Sequence, residues 1–125
     1  MNSIILKVGE GKYFIESNIV FCGTDLNISI VGGDKPHIGA ISIASPTDKL
    51  YNGIKRSATT SVISLQDHKE DKLACLAAKK LATALDCVVA VSVGIHIDNV
   101  SKQEIEILNE NFIELVERIK KELLK

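Results

Sequence analysis

The sequence predicts an α+β domain: an antiparallel β-meander sheet followed by two helices in the C-terminal half, with residues 1–125 forming a single domain. Three observations predict it. β-branched residues and turn signals dominate the first half, and segments of it alternate apolar and polar side chains, as a strand with one buried face does. In the second half, apolar residues recur at helical spacing. A chain of 125 residues, 46% of them apolar, can bury one core.

Short apolar or alternating segments predict the strands of this sheet. Residues 9–11 break the chain after the first strand, and residues 23–25, Gly-Thr-Asp, suit a hairpin turn because glycine tolerates positive φ. Residues 45–56 hold a proline, a glycine and three cations, which predicts a loop and the most mobile part of the chain. The predicted strands cover residues 4–8, 13–22, 26–30, 38–44 and 59–65.

The first predicted helix starts at a capping box and ends at Asp86. In residues 67–70 the side chain of Asp67 would accept a hydrogen bond from the Glu70 amide. The helical apolar positions that follow are Leu73, Ala74, Ala77, Leu81 and Leu85. Residues 87–93 are then almost continuously apolar, which is typical of a strand covered on both faces.

The second predicted helix begins at another capping box, Ser101 to Glu104, and runs for about six turns. Its core stripe comprises Ile105, Leu108, Phe112, Leu115, Ile119 and Leu123. Ile107 and Ile113 lie off that stripe and indicate a second contact, such as a partner subunit. The alternative is that scattered surface isoleucines have no special role.

Composition excludes several classes of protein. With 15 basic and 16 acidic side chains, the net charge of −1 gives no support for a nucleic-acid or anionic-membrane partner. The chain has no apolar stretch of about 20 residues and no signal-peptide pattern. Cys22, Cys75 and Cys87 lack CxxC spacing. We therefore expect reduced, buried thiols in a cytoplasmic protein.

The first candidate site is the segment Gly32–Gly39, which lies between two predicted strands. Its paired glycines would allow positive φ and expose backbone N–H groups to an anion. Lys35 and His37 would add charge. A plain hairpin loop with nothing bound explains the same composition, and the segment matches no Walker or GxGxxG pattern.

The other two candidates also contain histidine. Residues 67–71 start a helix, whose N-terminus attracts phosphate, although its acids oppose that. Residues 94–99, with His96 and Asp98, follow the apolar strand, where ligands gather in sheets of this kind. All three histidines thus lie at strand exits or helix starts. If those loops share one edge, His37, His68 and His96 could converge on a polar ligand or on a metal.

Together, the three segments resemble a known family. The strings GGDKPHIGA at residues 32–40, HKED at 68–71 and GIHIDN at 94–99 are similar, in order and spacing, to the LpdD-like family, over about residues 12–124. Each string alone would not be specific. Members of that family are small proteins associated with gallate-type, UbiD-like decarboxylases.

The resemblance implies a cofactor chaperone, an accessory protein of a decarboxylase rather than an enzyme. Such a protein would bind reduced prenylated flavin mononucleotide and deliver it to the apo-decarboxylase, as a homodimer whose fold resembles the proteasome-assembly chaperones. It implies no catalytic residue. The residues carried over as candidates for flavin contact are Gly32, Gly33, Asp34, Lys35, His37, Gly39, His68, Lys69, Glu70, His96 and Asp98.

The sequence is also compatible with two other functions. One is a metal-dependent enzyme built on the three histidines, although their spacing matches no metal motif. The other is an assembly module without a small ligand. The polar, glycine-rich histidine segments argue against that module, because interface cores favour aromatic residues and arginine.

Overall fold

Alternating side chains in the first half form strands, and the 3.6-residue pattern of the second half forms two helices. The computed structural model describes residues 3–47, 50–51, 54–55, 58–65 and 70–124. The strands are β1 Ser3–Val8, β2 Ile15–Cys22, β3 Asp25–Gly33, β4 Ala40–Pro46, β5 Leu50–Tyr51, β6 Ile54–Lys55, β7 Ala58–Ser64 and β8 Val89–His96. The helices are α1 Asp71–Leu85 and α2 Lys102–Leu123.

The main sheet has six strands in the order β1-β2-β3-β8-β4-β7. Neighbouring strands are antiparallel except β3 and β8, which are parallel. The predicted α+β class and mostly antiparallel sheet are therefore confirmed. The predicted meander did not include the insertion of β8 between β3 and β4. A central place suits β8 because it is the most continuously apolar strand and gains a hydrogen-bonded neighbour on each side.

Both helices pack on the same face of this sheet. The small residues Ala74, Ala77 and Ala78 are fully buried and bring α1 close to β4, β7 and β8. The second helix covers β1 and β2, with Phe112 as its largest buried side chain. No helix or strand among the described residues covers the opposite face, so within them β8 is not covered on both faces as predicted. Its side chains on that face, Ala90 among them, are only half-buried.

Several boundaries differ from the predictions. The strand β8 extends to His96, three residues beyond the predicted end, because it pairs with β3 as far as Gly33. The predicted loop at 45–56 includes the end of β4 and the paired strands β5 and β6; its mobility stays a prediction. Cys22 is exposed beside the β2–β3 turn, while Cys75 and Cys87 are half-buried, so the expectation of buried thiols was wrong.

The two predicted capping boxes have different outcomes. The box of α2 is confirmed: the Ser101 hydroxyl accepts from the Glu104 amide at 3.2 Å, and the Ser101 amide donates to the Glu104 carboxylate at 3.0 Å. The N-cap of α1, however, is Glu70 rather than Asp67, which lies outside the described residues. Neither described helix carries an apolar stretch of the length needed to cross a lipid bilayer.

Candidate functional site

One end of the sheet collects the segments that the sequence singled out. The parallel strands β3 and β8 both terminate there, at Gly33 and His96, and β4 begins there. The chain passes from the end of α1 into the start of β8, at the opposite end of the sheet, and from the end of β8 into α2, at this end. Both helices therefore begin at this end of the sheet. We call the ends of β3 and β8, the start of β4 and the first turns of both helices the site edge. His68 and Lys69 lie outside the described residues.

Backbone hydrogen bonds fix the loop that leads from β3 to β4. The amides of Asp34 and Lys35 both donate to the His96 carbonyl, at 2.7 and 3.2 Å, and the Gly39 amide donates to the Val93 carbonyl at 2.8 Å. The Gly33 amide donates to another backbone carbonyl. These four N–H groups therefore do not form the anion-binding cradle that the glycines suggested. Three of them tie the loop to β8, and the Gly33 amide ties the end of β3 to Phe14, the residue before β2.

Glycine is needed in these segments for close packing. A Cβ at Gly94 would overlap the backbone carbonyl of His37, and a Cβ at Gly39 would overlap the Glu70 carboxylate. Gly33 also adopts a φ of +77°, which side chains other than glycine rarely adopt. The glycines of the motif therefore place the His37 backbone directly against β8 and leave room for Glu70.

The side chain of His37 is held at both ring nitrogens. Nδ1 lies 2.8 Å from the Lys35 carbonyl oxygen, which can only accept, so the Nδ1–H donates. Nε2 lies 3.2 Å from a Glu70 carboxylate oxygen, an ion pair whenever the imidazole is protonated. The two side chains are only 23% and 10% exposed. This burial and double contact hold the ring in one orientation.

His96 forms a second pair beside the first. Its Nε2 lies 3.1 Å from a carboxylate oxygen of Asp98, and the Lys35 ammonium lies 3.2 Å from the same oxygen. Hydrogen bonds from Lys35 and then His96 lower the pKa of Asp98 below its usual range. The rings of His37 and His96 stand edge to face with centroids 6.3 Å apart. Two of the three histidines therefore converge as predicted.

A cleft of about 530 Å³ opens next to His96, between the first turns of α1 and α2. It is lined mostly by apolar side chains, with a few polar groups around them. Sequence reasoning missed most of this lining, since residues of the first helical turns carry no motif. The lining comprises Glu70, Lys72, Leu73, Ile95, His96, Ile97, Val100, Ile105, Leu108 and Asn109.

Within the described part of the chain, no group of three His, Cys, Asp or Glu side chains is arranged to hold a metal. The three-histidine site would need His68, which is not among the described residues. Ile105 was expected in the core of α2, yet it is 44% exposed and borders the cleft. Val116 is buried in the core instead.

A polar clasp closes the site edge on the side of β1. The Lys12 ammonium lies 2.7 Å from the Glu104 carboxylate, and the Tyr13 hydroxyl donates to the same oxygen at 3.1 Å. The Asn111 side chain donates to the Tyr13 carbonyl at 2.9 Å. These contacts fasten the turn after β1 to the first half of α2. Hydrogen bonds from Lys12 and the Ser101 backbone lower the pKa of Glu104 to about 2.

We expect this clasp to make stability fall in acid. The carboxyl of Glu104 has an ordinary pKa of 4.5 and a folded-state pKa of about 2, so its contribution is complete above pH 4.5 and is lost as the pH falls toward 2. Glu104→Gln should therefore flatten the dependence of the unfolding free energy on pH between 4.5 and 2, as measured by urea titration. Glu114→Gln, on the exposed surface of α2, serves as the control. An unchanged slope in Glu104→Gln would contradict the role of the clasp.

Comparisons with known proteins agree with this architecture. A family model described as "Prenylated flavin chaperone LpdD-like domain" matches residues 9–124. Among solved structures, a chain from a chaperone complex for yeast 20S proteasome assembly superposes with a TM-score of 0.61. That match covers 98% of this chain and 97% of the other, at 12% sequence identity, and so shows a shared fold. A search of curated proteins finds no match.

Proposed function

This chain belongs to the prenylated flavin chaperone LpdD-like domain family, and from that premise we propose that it binds reduced prenylated flavin mononucleotide in the cytoplasm and delivers it to an apo UbiD-like decarboxylase. One observation carries the proposal. The cleft at the site edge is large and mostly apolar, and His96 lines it with the ring of His37 behind it. Sites for cofactors combine an apolar wall with a few placed polar groups in this way.

The chemistry of the cleft suits the parts of such a ligand. Ile95 and Ile97, with the leucines of both helices, would pack against the flavin ring and its prenyl-derived ring. His96 would hydrogen-bond a polar edge of the flavin, with His37 behind it. Lys72 lines the cleft and supplies a cation for the phosphate. Lys35 already faces Asp98, which makes it the weaker candidate for that role.

The arrangement suits carriage of a ligand. Both imidazoles in the described part of the site face a carboxylate, and the flanking loop is tied to β8 by its own backbone. Such groups orient and shield a ligand. A carrier also has to release its cargo, which favours an open cleft over an enclosed cavity.

Anaerobic titration with reduced prenylated flavin mononucleotide tests the proposal, with reduced ordinary flavin mononucleotide as the control. Saturable binding of the prenylated form, followed by activation of an apo-decarboxylase by the loaded protein, is the expected result. Failure of both flavins to bind would refute the carrier function. Elemental analysis of the purified protein should accompany the titration, because stoichiometric tightly bound metal would favour the metal-dependent enzyme.

We also propose that two copies associate through the uncovered face of the sheet. Strand register places Ile41 beside Ile63 on that face, and Ile43 lies in the next row. Their exposed fractions run from 44% for Ile41 to 72% for Ile63. The mostly apolar sequence of β8, whose second face no described element covers, is consistent with a second sheet stacked there.

Ile41→Glu with Ile43→Glu should convert a dimer into a monomer, because two charges would be buried without partners. Sedimentation equilibrium measures the outcome. The matched control is Ile107→Glu with Ile113→Glu, which changes two similarly exposed isoleucines on α2. If only the control pair dissociates the protein, the contact lies on α2, as those off-stripe residues first suggested.

A further inference from the structure

The two helices frame a second groove, away from the site edge. It has a volume of about 590 Å³ and lies between the middle of α1 and the C-terminal end of α2. Leu76, 40% exposed, and Leu124, 55% exposed, contribute apolar surface to it. Three lysines line it as well: Lys79 and Lys80 from α1 and Lys120 from α2.

Charge is segregated at this groove. The whole chain carries a net charge of −1, yet the described residues that line the groove include three lysines and no acidic side chain. Glu117, which is not part of the lining, pairs with Lys80 at 3.2 Å and lies 3.9 Å from Lys120. One carboxylate thus faces two ammonium groups, and the groove keeps an excess of positive charge. A surface of this kind attracts an acidic partner.

The position of the groove relates it to the cleft. Because α1 and α2 both begin at the site edge and run in the same direction, one interhelical valley contains both features. Leu73 lines the cleft, and Leu76, one turn later on α1, lines the groove. This valley is on the helical side of the sheet. A second copy stacked on the uncovered sheet face would leave it accessible.

From these observations we infer that the groove docks an acidic amphipathic helix of the receiving decarboxylase, with apolar side chains of that helix against Leu76 and Leu124 and its carboxylates against Lys79, Lys80 and Lys120. The inference rests on the proposed carrier function. Docking there places the receiving enzyme over the valley that ends in the cleft. The cargo then has a short path from one protein to the other.

The test measures association of the flavin-loaded full chain with an apo UbiD-like decarboxylase, by calorimetry at low and high salt. Lys79→Glu should weaken association about tenfold at low salt, and less at high salt where charges are screened. Leu76→Ser should weaken it at both salt concentrations. The control is Lys121→Glu, the same charge change on an exposed lysine of α2 that does not line the groove and lies far from the site edge. All variants should keep the flavin affinity of the parent.

Each other outcome overturns the inference in an identifiable way. Parental association by both groove variants would refute the groove while leaving flavin carriage intact. A change of oligomeric state in Lys79→Glu or Leu76→Ser would mean that a second copy occupies the groove. If the parent protein binds flavin but never associates with the decarboxylase, both the groove and the delivery step fail. If the parent does not bind flavin, the carrier function itself fails.

Discussion

Replacing Gly94 with alanine should lower the free energy of unfolding by about 3 kcal/mol and abolish flavin binding. The added Cβ would overlap the carbonyl carbon and oxygen of His37. The overlapping atoms of His37 are backbone, and β8 is held by strands on both sides, so residue 94 cannot move without disturbing the sheet. The loop that carries His37 must therefore shift away from β8. Chemical denaturation and anaerobic flavin titration measure the two effects.

Gly23→Ala provides the matched control. Gly23 has a φ of +64°, but a Cβ there would have nothing within 4 Å. We expect a cost of about 1 kcal/mol from the backbone conformation alone, with unchanged flavin affinity because the β2–β3 turn lies at the opposite end of the sheet. Equal effects of the two substitutions would show that steric contact with the His37 loop is not the reason why residue 94 is glycine.

Removing the imidazole of His37 should weaken binding of reduced prenylated flavin mononucleotide by about tenfold to a hundredfold, a range typical of losing one buried hydrogen-bonding group. His96→Ala should have a similar effect, because the two rings stand 6.3 Å apart at the same site edge. The fold should survive both changes, since neither side chain belongs to the hydrophobic core. Affinity is measured by anaerobic titration and folding by circular dichroism.

Glu70→Gln tests whether the charge of Glu70 contributes to the affinity that His37→Ala is expected to lose. Glutamine keeps the size of the side chain that packs against Gly39 but removes the charge that faces His37 Nε2. If the ion pair orients the ring, Glu70→Gln should lose part of the affinity that His37→Ala loses. Parental affinity in Glu70→Gln would mean that the imidazole acts without that charge. Unchanged affinity in both His37→Ala and His96→Ala would remove the paired histidines from the ligand site.

The sequence determined which segments matter, because motif residues and periodicity are local properties. Alternation predicted the strands, the Ser101–Glu104 box predicted the start of α2, and Asp86 marked the end of α1, where it adopts the left-handed conformation with a φ of 54°. The combined histidine strings indicated the family, which the family model confirms over residues 9–124. The strand and helix signals depend on residues within a few positions of one another, and the family signal depends on three such short strings in a fixed order along the chain.

Tertiary structure decided which of those segments lie in contact with one another. Strand order cannot be read from alternation, so only the fold shows β8 between β3 and β4, which brings His37 and His96 together. The same insertion shows that the glycines serve close backbone packing, since the amides expected to bind an anion donate to backbone carbonyls instead, most of them in β8. The cleft and the cationic groove also depend on helix placement. Both arise from side chains far apart in sequence, which meet because two helices share one face of a sheet.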